Sequence, residues 1–87
     1  MNEIQSLARG LKILKIMAET DVAVGVTELA DELGVNKSTA SRLISTLQNY
    51  GFVEKALDNR RYQLGPTLVQ LSRSVINRMP LRETAKP

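Results

Sequence analysis

The chain has 87 residues, 43% of them apolar but only 3% aromatic, so its core must be built from Leu, Ile, Val and Ala. That length supports one domain, which hides only about 60% of its unfolded surface and gains from a partner subunit. With no Cys and no His and a formal net charge of +3, a disulfide scaffold, thiol chemistry and imidazole-based acid–base or metal chemistry are excluded; with no leader-like N-terminus and no apolar run of about 18 residues, the expected location is the cytoplasm.

Residues 3–20, EIQSLARGLKILKIMAET, read as a first helix with two apolar faces. Ile4, Leu7, Leu11, Leu14 and Ala18 share one side and are predicted to pack on the helices that follow. Ile13, Ile16 and Met17 share another. A surface helix needs one apolar stripe, so this second patch is predicted to be the dimer contact, against the same helix of another subunit. The competing reading has it covered by a later part of the same chain. Residues 21–26, DVAVGV, form a connector whose Val-rich end is predicted to be a very short strand.

Residues 26–47, VTELADELGVNKSTASRLISTL, hold two short amphipathic patterns with no room between them for a flexible linker, which predicts a helix-turn-helix. In the first, Leu29, Ala30 and Leu33 fall at helical spacing, Thr27 is the expected cap, and Glu28, Asp31 and Glu32 crowd the positive N-terminal end. Gly34 supplies the left-handed exit, and Asn36 is placed to accept from the free amides of the next helix. That helix has an apolar stripe of Ala40, Leu43, Ile44 and Leu47. Opposite it lie Ser38, Ser41, Arg42, Ser45 and Asn49, with Lys37 at the tip, Thr39 to one side and no acid anywhere. Small hydroxyls allow close approach, while Arg and Lys reach guanine edges or phosphates, which is the chemistry of a helix in a DNA major groove. The candidate site is therefore Asn36, Lys37, Ser38, Thr39, Ser41, Arg42 and Ser45. Arg42 and Ser38 are assigned to base edges, and Lys37, Thr39 and Ser41 to mixed or phosphate contacts. The bland alternative is a solvated polar face.

Charge placement supports the sharper reading. Residues 1–36 carry three bases against six acids, whereas residues 37–61 carry five bases against two acids. Basicity thus begins with the second helix of the motif, a field that attracts polyanions. After that helix, FVEKA and RYQLG flank the turn-formers Asp58 and Asn59, which predicts a β-hairpin. Its Lys55, Arg60 and Arg61 are assigned to phosphates or the minor groove beside the helix. Pro66 suits the first turn of a final helix over 66–79, with Leu68, Leu71, Val75 and Met79 on one side and Val69 and Ile76 on another. Residues 80–87 have little pattern and are expected to fray.

The fold class is mainly α with a small β-hairpin: a winged helix-turn-helix over 1–65, a linker helix over 66–79 and a tail over 80–87. The motifs SLARGLKIL, TELADELGVNKSTASRLISTLQNYGFVEK and RYQLG, in that order, resemble the DNA-binding half of the isocitrate-lyase-regulator (IclR) family of bacterial transcription factors. The likeness covers about three quarters of the chain. Ala40 departs from it, where the family more often has Val or a larger apolar residue. The resemblance implies a repressor or activator that binds double-stranded DNA at palindromic operators as a homodimer. It also implies a small-molecule effector sensed by a domain outside these residues.

No glycine-rich phosphate loop follows a strand and no convergent carboxylate pair occurs, so no enzyme activity, cofactor or metal is expected. The alternative function is a winged-helix module that binds protein and not DNA.

Overall fold

Local chemistry marks off the elements along residues 2–58 and 60–79, which the computed structural model describes. They run α1 (Gln5–Ala18), β1 (Val24–Gly25), α2 (Val26–Leu33), α3 (Lys37–Asn49), β2 (Val53–Lys55), β3 (Arg61–Leu64) and α4 (Thr67–Arg78). Asn59 and the expected tail over 80–87 lie outside the described residues.

Two chain reversals make the helix-turn-helix. Gly34 takes φ 71°, a left-handed conformation that glycine adopts without steric cost, and ends α2 there. Asn36 then caps α3, its Oδ1 accepting from the Thr39 backbone N–H at 2.8 Å. The cap of α2 differs from expectation. Thr27 is already inside the helix, Gly25 holds the cap position, and Glu28 Oε1 reaches back to accept from the Gly25 N–H at 2.8 Å. A carboxylate at the third helical position satisfies an otherwise orphaned amide and sits well in the positive end of the helix.

The three strands form one antiparallel sheet in the order β1-β3-β2, with Val24 opposite Tyr62 and Val53 opposite Leu64. The expected very short strand in the connector is thus β1, and it ties the hairpin to the start of α2. Ile13, Met17, Leu29, Ile44 and Val53 form the buried cluster, one or two side chains from each of α1, α2, α3 and β2. Leu33, Leu43, Leu47, Tyr62 and Leu64 close around it.

The faces of α1 differ from the sequence expectation, although Leu14, expected inside, does pack half-buried against the core cluster. Ile13 is 0% and Met17 4% exposed, so these two side chains serve this protomer's own core and are not the dimer contact, and Ile16, half-buried, packs against the same cluster. Ile4, Leu7 and Leu11, expected inside, are 70%, 59% and 52% exposed. Periodicity finds two stripes but does not say which one turns inward. Gly10 is buried on the Ile13 and Met17 side, facing Leu47 of α3, so the inner stripe is the one that α2, α3 and β2 cover. Helix α4 buries none of its residues. It is held at its start, where Thr67 Oγ1 donates to the Tyr50 carbonyl at 2.9 Å and the Thr67 N–H donates to the Gly51 carbonyl at 3.0 Å. Gly51, at φ 81°, has Thr67 packed where a side chain would stand.

Candidate nucleic-acid interface

Burial of Ala40 and Ile44, with Leu43 and Leu47 half-buried, fixes the rotation of α3 and so decides what it shows to solvent. Lys37, Ser38, Ser41, Arg42 and Ser45 are all exposed, and Thr39 is half-buried beside them. The structure therefore brings the sequence-derived recognition residues together on one open face. Asn36 stands at its tip with its carbonyl oxygen engaged twice, by the Thr39 N–H and by the Ser38 hydroxyl at 2.9 Å. The Asn36 amide nitrogen remains a donor, and Ser38 Oγ, having donated its proton, presents acceptor lone pairs. Thr46 Oγ1 donates to the Arg42 carbonyl at 2.9 Å, one turn further along the helix.

A groove between α1 and α3 adds a cation the sequence reading passed over. Ser6 and Arg9 from α1 line it together with Thr39, Arg42 and Thr46 from α3. Arg9 thus belongs to the same surface region as Arg42. The available signal was its place on α1, on neither of the two apolar stripes. Four acids, Glu19, Glu28, Asp31 and Glu32, line one cleft between the end of α1 and α2, and two more, Glu54 and Asp58, lie on the hairpin. The uneven charge seen along the chain is consequently uneven in space.

The hairpin is organised from its turn. Asp58 Oδ1 accepts from the backbone N–H groups of Arg60 and Arg61 at 3.0 and 3.1 Å, and the Ala56 N–H donates to the Arg61 carbonyl at 2.8 Å. Lys55 and Arg60 are exposed next to this turn. Arg61 takes a different course from the one its neighbours suggest. It begins β3, and its Nη1 turns toward α2, donating to the Ala23 carbonyl at 3.3 Å and to Glu28 Oε1 at 3.2 Å. Gln63 Nε2 donates across the strands to Glu54 Oε2 at 2.8 Å. Among the described residues, no group of three or more Asp or Glu side chains is arranged to hold a metal ion, and no helix is long and apolar enough to cross a membrane.

Comparison with known proteins agrees with this geometry. Residues 6–56 match the model of the IclR helix-turn-helix domain. The chain is 34% identical over 83 residues to the HTH-type transcriptional regulator XynR of Escherichia coli, covering 95% of this chain and 33% of that protein. Over 63 residues it is 41% identical to the transcriptional repressor IclR of Escherichia coli, covering 72% of this chain and 23% of the repressor. A crystal structure of an IclR-type transcriptional regulator from Alicyclobacillus acidocaldarius superposes with TM-score 0.79 at 35% identity, over 85% of this chain and 30% of that one. The chain thus spans about a third or less of the length of these relatives.

Proposed function

The chain belongs to the IclR family of helix-turn-helix regulators, and from that premise we propose that it binds duplex DNA sequence-specifically to control transcription, with α3 in the major groove. The single observation that carries this reading is the exposed, acid-free face of Lys37, Ser38, Ser41, Arg42 and Ser45. In the proposed complex Arg42 reads a base edge, Ser38 accepts from a base amine, and Lys37, Thr39, Ser41, Ser45 and the Asn36 amide set depth and register. Lys55 and Arg60 of the hairpin and Arg9 beside α3 contact phosphates. Relatives described as transcriptional regulator and repressor support the assignment to transcription control.

Two copies on a palindromic site are part of the proposal. Supporting this are the uncovered apolar side chains in and just before α1 (Ile4, Leu7, Leu11) and on α4 (Val69, Val75, Ile76), which a second copy would remove from water. The chain divides functionally into a DNA-binding unit over 1–65 and a linker helix over 66–79, since α4 is anchored only at its start, by Thr67 and Leu68, and has no fully buried residue.

The test is selection of bound duplexes from a random pool, then titration of the selected and a random duplex across salt concentration. DNA binding predicts a log–log slope of magnitude about 0.9 per neutralised phosphate, and a dimer predicts two half-sites about 34–36 Å apart or a multiple of that. Arg42→Ala is expected to weaken the selected duplex by about 1–3 kcal/mol and the random one by less. Equal losses on both would reject Arg42 as a reader of bases. No affinity for either duplex at low salt would replace the whole reading with the protein-binding one.

A further inference from the structure

Resting on the DNA-binding reading above, we propose that Arg61 is a positioning residue: with Glu28 it latches the hairpin to α2 so that Lys55 and Arg60, and not Arg61 itself, meet the phosphates.

Arg61 is the node where the hairpin joins the body. Its N–H donates to Asp58 and its carbonyl accepts from Ala56, so its backbone closes the turn that carries Arg60. Its Cα partner in the sheet is Gly25, in a strand only two residues long. Val53, Tyr62 and Leu64 anchor the base of the hairpin in the core, but at its turn end only two ladder positions tie β3 to β1. The side chain supplies the missing constraint. One nitrogen donates to both Ala23, just before β1, and Glu28, just inside α2. Glu28 is itself held, because the same oxygen accepts from Gly25 and the carboxylate lies in the first turn of α2. Nη1 carries two protons, one for the Ala23 carbonyl and one for Glu28 Oε1.

Charge complementarity points the same way. Arg61, its side chain 47% exposed, is paired with Glu28 at 3.2 Å and lies 4.0 Å from Asp58, so a phosphate would have to compete with these carboxylates for it. Two adjacent arginines thereby divide the work. Both are exposed, but Arg61 directs its Nη1 to Ala23 and Glu28 of its own protomer.

The test uses the full chain, random-sequence duplex DNA and near-physiological salt, where charges more than about 8 Å from a phosphate are largely screened. Glu28→Gln keeps an acceptor for the Gly25 amide and removes the ion pair; Arg61→Gln removes the guanidinium. Each is expected to weaken binding about three- to fivefold, as loss of a half-exposed, hydrogen-bonded pair allows, with an unchanged salt slope. In a Lys55→Ala/Arg60→Ala background, neither substitution should weaken binding further. A slope reduced by about 0.9 in Arg61→Gln, with tighter binding in Glu28→Gln, would make Arg61 a phosphate contact and overturn the latch. So would no change in either variant, or losses that persist without Lys55 and Arg60.

Amide hydrogen exchange separates this outcome from failure of the DNA-binding reading. If the unmodified chain binds no DNA, that reading falls, and exchange at Val24, Arg61 and Tyr62 alone decides the latch. Faster exchange in both variants sustains it, and unchanged exchange overturns it.

Discussion

Helices α3 and α4 are close to interchangeable as strings of letters. They have 13 and 12 residues, each carries two cations and no acid, and each repeats apolar residues at helical spacing. In the folded chain they are opposites. Helix α3 sinks Ala40 and Ile44 into the core and turns its hydroxyls and Arg42 to solvent, whereas α4 buries nothing and shows Val69, Leu71, Val75 and Ile76. A polar outward face next to a basic hairpin suits a polyanion; an apolar outward face suits another protein surface. Charge and periodicity alone do not separate the two, because the decisive quantity is which side the rest of the fold has already covered.

The largest expected effect that sharpens this contrast is on stability. Ile44→Ala removes a side chain 2% exposed from the centre of the cluster and should cost about 2–5 kcal/mol, a large share of what a domain this size has. Thermal unfolding followed by circular dichroism measures it, and a shift of only a few degrees would mean that α3 is not anchored as described.

A smaller effect separates stability from binding at the tip of α3. Asn36→Ala loses the cap and should cost about 1 kcal/mol of stability. Asn36→Asp keeps the cap but places an anion where DNA is proposed to lie, so it should melt like the unmodified chain and bind the selected duplex about tenfold more weakly. Equal binding by Asn36→Asp and the unmodified chain would remove that position from the contact surface.

The smallest effect belongs to α4. Val75→Ala should alter the stability of the isolated protomer by no more than about 0.5 kcal/mol, since Val75 is 58% exposed. If a second copy covers α4, the same substitution instead shifts the concentration at which dimers form, as sedimentation would show.

Much of this was legible in the sequence because the deciding chemistry is local. Gly34 and Asn36 impose a stop and a start by their own backbone and side-chain preferences, and the Ala40, Leu43, Ile44 and Leu47 stripe leaves only one way to turn α3. What was illegible depends on contacts between distant residues. The two stripes of α1 are nearly equivalent locally, and only contacts with Leu29, Ile44 and Val53, from three later elements, mark out the inner one. Arg60 and Arg61 are neighbours of the same type, and a reach across 33 positions to Glu28 sets them apart. Thr27 lost the capping role for a similar reason: β1 pairs with β3 up to Gly25, so α2 can begin at once.

Introducing the same acid on both helices tests most directly whether the outward face of α3 is the DNA surface. Ser41 and Ser74 are both exposed, and Ser41→Glu and Ser74→Glu change charge equally. With melting temperatures unchanged in both variants, Ser41→Glu should weaken the selected duplex by about tenfold or more while Ser74→Glu leaves it within about twofold. Undiminished binding by Ser41→Glu, or equal losses in the two variants, would contradict the assignment of α3 to the major groove.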